Sequence, residues 1–197
     1  MIDEERYISD LKFKLESYSS ISNDSWLLIK EIIRFKTLSK GEILLREGQV
    51  SRNLYFICDG ALRAYCTDIN GNAYNKNLFL EKNFAGSTVS AIQKTPSTFT
   101  LEALEDSVLI VLDYRKYREL IFSRNDLKDF YIAYLERNWI IEKEQREVSL
   151  VLENATIRYL KLIRQHPNID KRIPLQHIAS HLGITPTQLS RIRKDLK

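Results

Sequence analysis

The sequence predicts an α+β chain: short helices, a compact antiparallel β-structure, one long helix, and two final helices joined by a tight turn. Three observations carry this. Between residues 35 and 113 the chain runs in short alternating or β-branched stretches, broken at Lys40-Gly41, Glu47-Gly48, Asp59-Gly60, Asn70-Gly71 and Ala85-Gly86, the texture of an antiparallel sandwich or barrel. Residues 126–152 contain neither Gly nor Pro. Residues 173–197, IPLQHIASHLGITPTQLSRIRKDLK, keep a 3.6-residue apolar period on both sides of Gly183.

Composition sets the outer limits. A chain of 197 residues with 44% hydrophobic and 28% charged residues can bury a core of normal size. No run of 18 apolar residues occurs, and the acidic start IDEERYISD is unlike a signal peptide, so the expectation is a soluble cytoplasmic protein without a membrane partner.

In order, residues 3–18 and 24–33 read as two helices, the first with Tyr7, Leu11 and Leu15 on one stripe and the second capped by Ser22 or Asn23. The strand candidates are EILL, NLYFIC, ALRAYCT, NLFL, TFTLEAL and SVLIVLD. A hairpin at Asp59-Gly60 would leave Cys66 roughly 17 Å beyond the turn from Cys58, so the two cysteines should be unbridged, buried strand residues. Residues 114–123 read as a short helix. In the long helix that follows, Leu127, Tyr134, Ile141 and Val148 recur every seven residues. At roughly 40 Å it is too long to bury on one small sandwich, so the stripe predicts a partner helix from a second copy, with Asn138 and Gln145 setting the register. The alternative is a helix lying wholly on its own body. Asn154 then caps a helix running to His166, and Pro167-Asn168 opens the last loop.

The final helix pair places Leu175, Ile178, Ala179 and Leu182 on one inner face and Ile184, Leu189 and Ile192 on the other. Gly183 can take the left-handed conformation that ends a helix, Thr185 can cap the next, and Pro186 fits its first position. Together these make a helix-turn-helix of the DNA-binding kind, against the plainer reading of an αα-hairpin with a solvated basic face. Turned outward are Thr187, Gln188, Ser190, Arg191, Arg193 and Lys194. Gln can pair with adenine and Arg with guanine, while Ser, Thr and Lys suit phosphate oxygens. Charge agrees: from Asn154 onward nine basic residues stand against two acidic ones, a local +7, which leaves about −3 on the preceding 153 residues.

This order of parts resembles the Crp/Fnr family of bacterial transcription regulators over nearly the whole chain, most firmly at the final helix pair and at Lys40-Gly41-Glu42, Glu47-Gly48, Asp59-Gly60 and Asn70-Gly71. The resemblance implies a cyclic-nucleotide-binding-like β-roll (a double-stranded β-helix) in a sensor domain over residues 1–124, a dimerisation helix over 125–153, and a helix-turn-helix domain over 154–197 with its wing absent or truncated. It implies a homodimer reading a two-fold symmetric site on double-stranded DNA, with RNA polymerase as a candidate further partner. Thr187, Gln188 and Arg191 would contact bases, and Thr185, Ser190, Arg193 and Lys194 phosphates. With the wing gone, further backbone grip would fall to Lys161, Arg164, Lys171 or Arg172.

The ligand pocket departs from the family pattern. Where cyclic-nucleotide binders carry a Gly-Glu pair for the ribose and an Arg-Ser pair for the phosphate, this chain has Gly86-Ser87 and Ser97-Thr98. Burying a phosphodiester without a cation is costly, so cyclic AMP and cyclic GMP are not expected to bind tightly, and no cofactor is expected. The rough alignment also sets Lys143-Glu144 where such binders contact the base. All three histidines, His166, His177 and His181, fall in the final domain, against a haem pocket in the roll. His177 and His181 lack a third ligand for a metal and are expected near the DNA backbone. No GxSxG, HExxH, P-loop or GxGxxG occurs, so an enzyme is not expected. The competing functional class is a ligand- or protein-binding sensor module whose terminal helices serve assembly.

Overall fold

Asp3 accepts the backbone N–H of Arg6 and so starts the first helix, α1 (Glu4–Glu16), which buries Tyr7, Leu11 and Leu15 as one stripe. The computed structural model describes residues 3–196; Lys197, counted above in the basic end, lies outside them. Ser22 caps α2 (Asn23–Ile32) through the N–H of Ser25. The chain then passes without a loop into β1 (Ile33–Leu38), a strand outside the expected set, whose first residue, Ile33, falls within the expected second helix.

Seven further strands follow: β2 (Ile43–Leu45), β3 (Asn53–Asp59), β4 (Leu62–Thr67), β5 (Ala73–Phe79), β6 (Phe84–Ala85), β7 (Thr100–Ala103) and β8 (Ser107–Asp113). A short helix, α3 (Thr88–Gln93), lies between β6 and β7. The strands form two antiparallel four-stranded sheets, ordered β1-β8-β3-β6 and β2-β7-β4-β5. This is the expected antiparallel β-roll with flanking helices.

Two cores explain why β3 and β8 read as nearly unbroken apolar runs. Tyr55, Ile57, Leu109 and Val111 point between the sheets at Leu45, Leu62, Ala64, Leu101 and Ala103. Their neighbours Phe56, Cys58, Ile110 and Leu112 point the other way, into α1, α2 and the helices after β8. A strand buried on both faces has no polar side to alternate with.

Asp59-Gly60 does not make a hairpin. β3 and β4 belong to different sheets, and Gly60 turns the corner between them at φ +98°. A side chain there would meet the Ser107 Cβ at 2.7 Å and the Asp106 carbonyl at 2.8 Å. The hairpin is instead β4–β5, turned at residues 68–72. Cys58 and Cys66 are both free, as expected, but only Cys58 is buried, and burial pushes its thiol up to about 12.

After β8 come α4 (Tyr114–Ser123), α5 (Asn125–Leu135), a π-helical stretch (Glu136–Ile141) and α6 (Glu142–Leu152), so residues 125–152 are helical throughout. The π stretch changes the expected stripe. The N–H of Glu142 bonds back five residues to Arg137, which widens the turn and rotates the second half of the helix relative to the first. Leu127 is fully buried and Tyr134 packs on the same core, whereas Ile141 and Val148 are about half exposed. The four residues therefore do not form one seam. Nor is Asn138 free to set a register, since its side chain bonds the Tyr18 hydroxyl and the Tyr134 carbonyl. Asp126 fastens the helix start, accepting the N–H of Ser22 and the hydroxyl of Ser25; burial would raise its carboxyl, but these donors prevail and hold it at about 2.

The C-terminal helices are α7 (Ala155–Gln165), capped by Asn154, a one-turn α8 (Ile169–Arg172), α9 (Leu175–His181) and α10 (Pro186–Asp195). Tyr159, Leu162, Ile169, Ile173, Ile178, Ala179, Leu182 and Leu189 close a third core, to which the roll contributes Ala61, Leu80 and Leu104. The helical unit is thus docked on the roll.

Candidate functional site

Gly183, at φ +70°, ends α9 and aims the chain into α10. Thr185 then caps α10 reciprocally: its hydroxyl accepts the N–H of Gln188 at 3.2 Å, and the Gln188 side-chain oxygen accepts the N–H of Thr185 at 2.9 Å. This occupies the oxygen of a residue expected to read a base. A two-bond pairing with adenine needs both amide atoms, so Gln188 serves the cap in this conformation.

Leu189 is fully buried, which turns Thr187, Ser190, Arg191 and Lys194 outward, all exposed. Arg193, expected on phosphate, instead pairs with Asp170 at 3.0 Å. Of the residues proposed for extra backbone grip, Lys161 is paired with Glu153, and Arg172 bonds both Glu81 and Glu105. Those two carboxylates hold the Arg172 guanidinium well above its usual range. Among the described residues no side-chain partner is present for Arg164, Lys171, Arg191 or Lys194, all exposed, so the unneutralised charge of the basic end sits there.

In the expected ligand pocket, Ser87 and Ser97 are buried and closed on each other, with Oγ to Oγ at 3.0 Å, and Ser97 also donates to the Phe99 carbonyl. Gly86 lies against the Asn53 carbonyl and Leu54, while Thr98 faces out and its carbonyl accepts the Cys66 thiol. Lys76 lies beside Phe99, with its Nζ 4.3 Å from the ring centre, and burial lowers its pKa. From α6 the residue that reaches the roll is Arg146, bonded to Asn77 and the Lys76 carbonyl. Lys143 and Glu144, the aligned pair, are exposed instead, Lys143 pairing with Glu147.

The histidines are the largest departure from the sequence reading. None lies free on an outer face. His177 brings Nδ1 within 3.2 Å of Arg63 Nη1 on β4, and burial and then Arg63 lower its pKa. His181 is partly buried, and its Nδ1 is enclosed with no partner among the described residues; burial, then Arg146 and His166, lower it to about 4. His166 is lowered by burial, between Glu81 and Arg172. Arg63, Asn75, Glu102 and Arg146, which line this roll–helix contact, carry no sequence signal, because their partners lie 12 to 114 residues away.

No curated protein matches the sequence. Residues 35–124 match the family model of the cyclic nucleotide-binding domain. Among solved structures, the Catabolite Activator Protein of Thermus thermophilus is 20% identical over 93% of this chain and 86% of its own, with a TM-score of 0.55. FixK2 of Bradyrhizobium japonicum is 16% identical over 84% of each chain, at 0.66. The c-di-GMP responsive global regulator CLP of Xanthomonas campestris is 13% identical over 89% of this chain and 91% of its own, at 0.66. The roll therefore carries the cyclic nucleotide-binding fold, and its structural neighbours include Crp/Fnr-type regulators that extend across both parts of the chain.

Proposed function

We propose that this chain, built on a cyclic nucleotide-binding roll, is a transcription regulator that binds double-stranded DNA as a homodimer. The observation that carries the reading is α10. It starts on a reciprocal cap directly after the Gly183 turn, and it presents Thr187, Ser190, Arg191 and Lys194 outward, with no charge partner for either cation among the described residues. The N-terminal part of such a helix is where base edges are read. Arg191 and Thr187 are the base contacts in this assignment, Ser190 and Lys194 the phosphate contacts. Gln188 and Thr185 set the helix start, and Arg193 is placed by Asp170.

The second copy would seat on the end of the π stretch and on α6, where Ile140, Ile141, Val148, Val151 and Leu152 are each about half exposed or more. In this division residues 1–124 form the sensor, 125–153 the dimer helix and 154–197 the reader. Two copies make a two-fold symmetric site natural, and RNA polymerase the further partner of the bound dimer. Closure of Ser87 on Ser97, with no arginine at either position, speaks for a signal other than cyclic AMP or cyclic GMP.

Selection of bound sequences from a random duplex pool tests the reading. A palindromic motif with half-sites about one helical turn apart is expected. Weak, salt-sensitive binding without enrichment would instead favour a sensor module whose terminal helices serve assembly. The docking of α9 on β5 is the observation that favours that second reading.

A further inference from the structure

Besides the third core and the Arg172 ion pairs, the roll and the helical unit meet along β4 and β5, and this contact has a chemical peculiarity. Arg63, on β4, is pinned on its own sheet: Nε and Nη2 bond Glu102 on the neighbouring β7 at 3.2 and 2.7 Å, and the guanidinium stacks over Tyr65 at 4.0 Å. Its remaining Nη1 reaches Asn75 Oδ1 at 3.4 Å and His177 Nδ1 of α9 at 3.2 Å. An arginine can only donate. Nδ1 must therefore accept, which requires a neutral imidazole with its proton on Nε2.

Asn75 of β5 completes the contact. Its N–H donates to the Ser180 hydroxyl at 2.8 Å and its side-chain amide to the His177 carbonyl at 2.9 Å. The charged groups that act on His177 are Arg63 and, more weakly, Glu102, already bound to Arg63. The residues of β5 and α10 that line the cleft with it are uncharged, Tyr74 and Gln188 among them.

The same contact bears on α10. Ala73 and Tyr74 face Gly183, Ile184, Thr185, Pro186 and Gln188 across an open cleft of about 690 Å³. The wall behind them is stiff. The Asp68 carboxylate accepts the N–H groups of Asn70 and Asn72, the Asn72 amide and the Tyr74 hydroxyl, so the hairpin tip is a closed ring of hydrogen bonds. The hairpin thus stands beside the side of α10's first turn that carries Thr185, Pro186 and Gln188, and DNA seated on that turn would have to clear it.

We infer that the β4–β5 hairpin is an autoinhibitory latch on the helical unit, closed by the Arg63–His177–Asn75 contact and released when His177 is protonated. Protonation replaces an accepted hydrogen bond with two cations facing each other at 3.2 Å. The sign follows from linkage: a histidine whose pKa is lowered by docking favours the docked form above its undocked value near 6.5, and that preference is lost as pH falls. The limit is about tenfold per pH unit. The output of the latch rests on the proposed DNA reading of α10; the docking equilibrium does not.

The test uses the full chain at pH 7.5 and pH 5.5, with two readouts. One is the hydrogen-exchange protection factor of the Asn75 amide, which bonds α9 and not the neighbouring strand; the other is affinity for the selected duplex. His177→Gln keeps an acceptor oxygen for Arg63 but cannot be protonated. Asn75→Ala opens the latch at either pH, and Ser180→Ala is a second opening variant should the first fail to fold. In the wild type, protection should fall about threefold to tenfold at pH 5.5 and DNA affinity should rise, with both responses reduced in the His177→Gln protein. Equal pH responses of wild type and His177→Gln would overturn the trigger. Opened variants that bind DNA no more tightly than wild type would overturn the autoinhibition. A pH-sensitive Asn75 amide in a protein that binds no DNA in any variant would uphold the latch and sink the regulator reading instead.

Discussion

Replacing Arg191 by Ala isolates the proposed recognition chemistry from the fold. The side chain is exposed and has no partner among the described residues, so its loss should move stability by no more than about 0.5 kcal/mol. A two-bond contact from arginine to guanine is worth about 1 to 3 kcal/mol, roughly a 5- to 150-fold loss on one half-site. A dimer holds two copies of Arg191, and two well-separated sites add, so a full palindrome should lose about 2 to 6 kcal/mol. Fluorescence anisotropy on the selected operator and on a half-operator, at one salt concentration, reads both. A matched set of base substitutions should show preference relaxed at one position per half-site. Arg193→Ala is the control with a different signature, because it also strips Asp170 of its ion pair and so perturbs the helical unit. Unchanged operator affinity and unchanged base preference in Arg191→Ala, with the melting temperature intact, would refute the assignment.

Four other outcomes follow from the geometry. Gly60→Ala should destabilise the roll by about 2 kcal/mol or more in chemical denaturation, since it combines a positive φ with a clash against Ser107 and the Asp106 carbonyl. Asp126, held at about 2, stabilises the junction of α2 and α5 above the unfolded value near 3.9; an acid titration should show that contribution fading between about pH 4 and pH 2, and Asp126→Asn should lack it. Cyclic AMP and cyclic GMP should give no tight binding by calorimetry, and micromolar affinity for either would mean that the Ser87–Ser97 pair opens to a phosphate. Val148→Glu combined with Val151→Glu should leave a folded monomer by light scattering if α6 is the dimer seam, and an unchanged dimer would move the seam elsewhere.

What the sequence made legible was local. Caps at Ser22, Asn154 and Thr185 each depend on a residue three places along, and the Gly183 turn on its immediate neighbours, so their signals survive in the linear text. β3 and β8 were recognisable as strands, but not as strands of one sheet, because which strands pair is decided by the roll's closure and not by either stretch alone. Asp59-Gly60 shows the limit well. The dipeptide has hairpin chemistry, and only the packing of Ser107 against Gly60 makes it a corner between sheets.

The same limit explains why the candidate reader was found and its restraint was not. α10 carries its function on consecutive residues, so exposure, cap and charge could be inferred from spacing. The latch is distributed over β4, β5, β7 and α9, and none of Arg63, Asn75, Glu102 or His177 is unusual where it stands. Only the fold sets a donor-only guanidinium against a ring nitrogen. His177 and His181 were expected exposed near the DNA backbone because the first helix of such a pair crosses it. Docking on the roll overrides that placement, and the override gives His177 a protonation state that matters. A pattern with no linear signal and a strict chemical requirement is what a contact between elements distant in sequence produces. The requirement, and not the residue types, is what the paired measurement on wild type and His177→Gln examines.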